Sequence, residues 1–129
     1  MVELSVNANS EVKIHRLVLG IDSGYVVNPD NVIAQMQGST VFMLSAMFWG
    51  EITIKDGRAE QANFDTYRMM RMSEMPKVEV VLAPSGGFWG GVGEPGQAAI
   101  IPSLLNAIFA ATGTRVRSLP LKNEGFSLA

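Results

Sequence analysis

Apolar and polar residues alternate from the start of the chain. Val2, Leu4 and Val6 are interleaved with Glu3 and Ser5, and after the polar break Asn7-Ala8-Asn9-Ser10 the pattern resumes at Val12, Ile14 and Leu17-Val18-Leu19. A period of two puts every second side chain on one face, so the stretch reads as an antiparallel hairpin whose long second strand ends near Ile21-Asp22. A second hairpin is predicted at Ile52-Thr53-Ile54, where Asp56-Gly57 supplies the positive φ angles of a tight turn before Arg58 to Asn63. Between the hairpins, Asn28-Pro29-Asp30 offers a capping oxygen followed by proline at the first helical position, so a helix is predicted from Pro29 to about Phe48. Its later half, Val41 to Trp49, is apolar on nearly all sides, as in a helix covered on every face. Gly38 in its middle costs about 1 kcal/mol relative to alanine, and either close helix packing or the approach of a ligand or another backbone explains it. Val78-Glu79-Val80-Val81-Leu82 reads as a further strand. A helix around Pro102 to Thr112 ends at Gly113, with Pro102 expected to break or restart it. These elements describe an α+β fold of antiparallel hairpins packed with two main helices over residues 1–121, followed by a loose tail over 122–129.

Composition narrows what such a fold is for. A chain of 129 residues supports one core. Charged residues make up 17% of it, against about 25% in a typical soluble domain. This shortage of solvated surface implies apolar faces that belong against other protein, whether further copies or another polypeptide. A net charge of −2 without a Lys/Arg cluster leaves no footprint for nucleic acid or an anionic membrane. There are no cysteines and His15 is the only histidine, so thiolate chemistry is excluded and a protein-ligated zinc centre is not supported. The longest apolar runs, Val41 to Trp49 and Ala98 to Ala111, are shorter than the roughly 18 residues a membrane span needs. The opening residues read as a strand and lack the regions of a signal peptide, so a cytoplasmic location is expected, with the periplasm open.

The stretch richest in chemistry is Gly90-Gly91-Val92-Gly93-Glu94-Pro95-Gly96, between the strand at Val78 and the later helix. It sets one carboxylate on a backbone that glycine lets bend sharply, just before a helix N-terminus whose first N–H groups lack intrahelical partners. Such an arrangement presents an acid or base to an anion or a reacting group. The alternative is a tight turn in which Glu94 merely favours the helix dipole. Residues 91–96 also satisfy the G-x-G-x-x-G pattern of dinucleotide binding, but Ser85 to Gly90 separate them from the strand and no acid follows until Glu124, so that reading is set aside.

Ile21-Asp22-Ser23-Gly24, Val27-Asn28-Pro29, Gln35-Met36-Gln37-Gly38, Gly91-Val92-Gly93-Glu94-Pro95 and Asn106 to Gly113 together resemble the C-terminal region of the large, molybdenum-binding subunit of the xanthine oxidase and aldehyde oxidase family. The likeness is strongest to the beta subunit of isoquinoline 1-oxidoreductase. Gly50 to Gly57, Asn63-Phe64-Asp65 with Tyr67, and Leu119-Pro120-Leu121 continue it, so it covers nearly the whole chain.

The resemblance implies a fragment of a molybdopterin-binding domain serving hydroxylation of an N-heterocycle or aldehyde carbon with water as the oxygen source. Glu94 would be the general base on a molybdenum-bound hydroxide, and metal coordination and a nearby carboxylate are complementary ways to remove that proton. Gln35 matches a glutamine that hydrogen-bonds the molybdenum–pyranopterin, its neutral amide placing no charge beside an anionic ligand. An exposed polar residue on a helical turn is the alternative for Gln35. Gly91, Val92 and Gly93 would bring backbone N–H groups close to the cofactor. Arg68 and Arg71 either steer an acidic substrate or are solvated, and His15 is structural. The implied partners are the remainder of the large subunit, a small subunit carrying 2Fe–2S clusters, and the small organic substrate. Two departures stand out: the family usually has glycine at Met43 and proline at Arg68. The family's other cofactor loops have no counterpart, so the chain alone is expected to be inactive. A non-catalytic assembly domain that keeps the fold is the competing expectation.

Overall fold

The computed structural model describes every residue from Met1 to Ala129. The first hairpin forms as the alternation predicts, with β1 (Val2–Val6) antiparallel to β2 (Glu11–Ile21). Val12, Ile14, Leu17 and Leu19 are all buried although the first two lie in even positions and the last two in odd ones. A bulge reconciles them: Glu3 pairs with Arg16 and Leu4 with Ile14, so His15 is extra and the inward phase of β2 shifts by one. His15 lies exposed there, its Nε2 2.9 Å from Ser5 Oγ, in keeping with a structural role.

The other edge of β2 carries two parallel neighbours. β5 (Lys77–Leu82) runs beside residues 16–21, and β6 (Ser127–Leu128) beside Glu11 and Val12. The fold is α+β, but the sheet is mixed and not built from antiparallel hairpins alone. The cause is the helix between β2 and β5: a chain that leaves one strand and crosses by a helix returns parallel to it. The second hairpin is a short two-stranded ribbon, β3 (Ile54–Lys55) with β4 (Arg58–Ala59), turned by Asp56 at φ 50° and Gly57 at φ 74°.

Two helices pack with the sheet around one core. The first, α1 (Pro29–Trp49), is capped by Asn28, whose side chain accepts a hydrogen bond from the Asn31 N–H at 3.2 Å. Leu44, Met47 and Phe48 are fully buried, yet Phe42 is 55% exposed, so the late half of α1 is not covered on every face. The second, α2 (Pro95–Thr112), begins seven residues before the predicted start and runs unbroken through Pro102, ending at Gly113 with φ 74°. Pro102 costs a turn one hydrogen bond, but it faces solvent while Ile100, Leu104 and Ile108 on the opposite stripe are fully buried. That burial holds the helix together across the gap in its ladder.

Close approach of the helices occurs at Gly96, where an added Cβ would lie 2.9 Å from Met36 Sδ and 3.5 Å from Ser39 Cβ. Gly38, by contrast, is exposed and would meet nothing within 4 Å, so of its two readings close helix packing is overturned.

The C-terminal segment is also not a loose tail. Leu121 to Glu124 form a 3-10 turn, Leu121 and Phe126 are buried in the core, and Ser127-Leu128 join the sheet. Lys122 Nζ lies 2.8 Å from Glu51 Oε2, and the Asn123 amide donates to Glu51 Oε1 at 3.1 Å. Apolar Phe126 and Leu128 decide the matter, because seating them covers the end of β2 that β5 leaves bare. Phe126→Ala is therefore expected to lower unfolding stability by about 3 to 5 kcal/mol in denaturant titrations; a change below about 0.5 kcal/mol, typical of surface sites, would show the segment undocked.

Candidate functional site

Where β2 ends, its backbone is laced to the loop that leaves β5. Asp22 Oδ1 accepts the Gly24 N–H at 2.8 Å and the Ser85 N–H at 3.1 Å. Backbone bonds continue the seam: Ala83 N–H to Ile21 O at 2.9 Å, Gly86 N–H to Gly24 O and Gly90 N–H to Ser23 O, both at 3.0 Å. Gly24 is required twice over, since its φ is +77° and a Cβ there would sit 2.3 Å from Phe88 O. The N–H of Gly24 first, then the hydroxyl and the N–H of Ser85, hold the Asp22 carboxyl below its ordinary value of 3.8.

Past Gly90 the lacing stops. The backbone N–H groups of Gly91, Val92, Gly93 and Glu94 find no acceptor in the chain. The Gly93 carbonyl takes only a long hydrogen bond, 3.4 Å, from Ser39 Oγ. Neither Gly91 nor Gly93 has a positive φ, and a Cβ on either would meet nothing within 4 Å. Folding alone thus demands glycine at neither position, and both border open space.

Glu94 follows at the N-cap of α2, at φ −114° and ψ −24°, and its side chain caps nothing. That side chain enters no ion pair and no hydrogen bond, and the residue is exposed. The carboxylate thus makes no capping bond, and at the helix start its charge is favoured by the α2 dipole alone. It borders an open cleft of about 860 Å³ that also meets Gly91, Gly93, Gln97, Met43 and Ile101. One wall is apolar, the other carries the carboxylate, a free carboxamide and bare backbone donors. Such a donor set suits an anionic, oxygen-rich group with a base beside it.

The residues singled out from sequence are only partly brought together. Gly91, Gly93 and Glu94 share the cleft. Val92 is half-buried against the core, so only its N–H is available. Gln35 is exposed on α1 and does not border the Glu94 cleft, so that cleft does not unite the two. Arg68 stacks over Trp49, 4.1 Å from the ring, and pairs with Glu74, while Arg71 is exposed and its N–H bonds to Glu74 Oε2 at 2.7 Å. Neither arginine borders the Glu94 cleft. The roles of Asp22, Gly24 and Gln97 were not read from the sequence. Asp22-Ser23-Gly24 stood there as a motif without a task, and the one available signal for Gln97 was its spacing of three from Glu94 on a helix.

Comparison with known proteins bears on this geometry. Residues 1–76 match the family model described as molybdopterin cofactor-binding domain. The chain is 33% identical over 115 residues to isoquinoline 1-oxidoreductase subunit beta of Brevundimonas diminuta, covering 89% of this chain and 15% of that protein. It is 33% identical over 111 residues to the membrane-bound aldehyde dehydrogenase [pyrroloquinoline-quinone] of Gluconacetobacter polyoxogenes, covering 86% and 14%. Among solved structures, quinoline 2-oxidoreductase from Pseudomonas putida 86 superposes with a TM-score of 0.74 at 16% identity, over 88% of this chain and 16% of that one. The chain therefore spans about one-seventh of the length of the curated relatives it matches.

The Asp22 seam and the open glycines make opposite expectations. Asp22 titrates lower in the folded than in the unfolded chain, so its contribution is present above about pH 4 and is lost as pH falls further. Urea midpoints measured from pH 7 to pH 3 should show a smaller acid-side decline in Asp22→Asn than in the parent; equal declines would remove Asp22 as an anchor. Gly24→Ala should destabilise by more than about 1 kcal/mol, whereas Gly93→Ala should leave stability unchanged or raise it by about 0.4 to 1 kcal/mol. A destabilised Gly93→Ala would mean that this glycine serves the fold.

Proposed function

The chain belongs to the molybdopterin cofactor-binding domain family, as a C-terminal region of the molybdenum-binding subunits of xanthine oxidase type, and from this premise we propose that Glu94 is the proton-accepting base of a molybdenum hydroxylase. The observation that carries the reading is a carboxylate free of any partner at an uncapped helix start, flanked by two glycines that face open space.

The N–H groups of Gly91, Val92 and Gly93 would hold anionic oxygens of the cofactor, because no side chain keeps a ligand away from the backbone at 91 and 93. Gln35, with no partner of its own on α1, would offer its amide to another part of the same cofactor. The cofactor, when bound, supplies the oxygen-transfer and two-electron chemistry needed to hydroxylate a carbon beside a ring nitrogen or in an aldehyde. Glu94 takes up a proton at its carboxylate, and the apolar wall of Met43 and Ile101 keeps that carboxylate from being solvated on every side. The electrons would leave to 2Fe–2S clusters held outside these 129 residues, which have no cysteine to ligate them, and a partner subunit is the proposed carrier. About one-seventh of a subunit provides too few donors to retain the cofactor, so the isolated chain is inactive.

A second reading, a domain that only assembles, draws on Phe64, Met72 and Phe88, each more than nine-tenths exposed. Glu94→Gln in the complete subunit separates the two. With molybdenum content retained, turnover should fall by about 10² to 10⁴. Unchanged turnover would remove Glu94 from the reaction and leave the assembly reading.

A further inference from the structure

Met36, Ser39 and Met43 lie three and four residues apart, a spacing that sets them on one stripe of α1. The first two are spent on α2: Met36 is 1% exposed against Gly96, and Ser39 Oγ bonds to the Gly93 carbonyl. Met43 is the next residue along the stripe; partly packed against the core, it also borders the cleft, together with Glu94, Gln97 and Ile101. Those three follow the helical spacing of α2 at positions 94, 97 and 101, so α2 supplies both polar groups and one apolar residue of the cleft, and α1 adds Met43. The side chain of Met43 is half-buried, unbranched and thioether-tipped, which lets it lie along a flat ring and make sulfur–aromatic contact.

From this juxtaposition we propose that Met43 is the size-selecting residue of the substrate pocket, setting how large a planar aromatic ring can stand edge-on to Glu94. The proposal rests on the reading of this cleft as the reaction site. A cleft of about 860 Å³ falls in the range of small-molecule sites, which are roughly 300 to 1,000 Å³. An apolar wall with few polar groups is the pattern of such sites, and here the polar groups are a carboxylate and a carboxamide on adjacent turns. A planar heteroaromatic or aryl aldehyde matches that pattern: its faces bury against Met43 and Ile101, and its heteroatom edge turns to Gln97. The competing occupant is another segment of the complete polypeptide lying over Met43.

The test uses the complete subunit with its cofactor and partner, carrying Met43→Ala or Met43→Phe. Probes of the same functional group and different width are compared in parent and variant, so that intrinsic reactivity cancels: benzaldehyde with 2-naphthaldehyde, and pyridine with isoquinoline. Met43→Ala should raise the two-ring to one-ring ratio of kcat/KM by about tenfold, and Met43→Phe should lower it by a similar factor. Calorimetric binding of the two-ring and one-ring probes gives the same ratio without turnover. If Met43→Ala does not assemble, Met43→Phe and the binding ratio decide alone. Unaltered ratios, with Glu94→Gln still inactivating, would overturn the proposal and assign the cleft over Met43 to polypeptide. If Glu94→Gln is fully active, the site reading itself has failed and the proposal fails with it.

Discussion

The geometry of the Glu94 cleft depends on one carboxylate that never enters it. Asp22 ends β2 by gathering the N–H groups of Gly24 and Ser85, and the backbone bonds on either side of it bind two irregular segments into a single layer. Loops carry obligatory donors and acceptors, and two loops that satisfy one another can be held as firmly as a sheet edge. The layer terminates at Gly90, whose N–H bonds to Ser23. Gly91 to Glu94 keep unused donors because the lacing has run out before them. The site is thus the unlaced end of a laced segment, and its position is inherited from the sheet through Asp22.

The second determinant is the approach of the two helices. Gly96, at the second residue of α2, admits Met36 where any side chain would collide with it. This fixes the start of α2 against the middle of α1 and holds the Gly93 carbonyl over Ser39. Because the contact sits in the first turn of α2, Glu94 is anchored from both directions, by the seam before it and by helix packing after it. In the role proposed for Glu94, a backbone held by rigid elements would lose little in ordering when a reactant arrives, which is where positional accuracy contributes to rate.

Local features were legible in the sequence. Asn28 capping α1, the Asp56-Gly57 turn and the Gly113 stop each act within a few residues, so residue type and spacing suffice to place them. Even the bulge left a trace, in the shift of apolar positions between Ile14 and Leu17. Pairing of distant segments was not legible: β6 looks like a polar end until Phe126 and Leu128 are seen to cover β2, and the parallel strand β5 has the same period as an antiparallel one. Pro102 misled because its backbone penalty was weighed without the buried stripe of Ile100, Leu104 and Ile108 that outweighs it. Gly38 and Gly96 misled because a glycine's use depends on what lies over it. In the site, Glu94 and the glycines were singled out through their order along the chain, while the meeting of Met43 with Gln97 at one cleft becomes visible only when two helices are set side by side.

The central claim is that Glu94 is kept free of protein partners for a reacting group. A crystal structure of the complete subunit with its cofactor tests it most directly. The Glu94 carboxylate should lie within hydrogen-bond reach, about 3 Å, of a cofactor ligand or a water between them. Finding it paired with a lysine or arginine from another segment, turned away from the cofactor, would contradict the account.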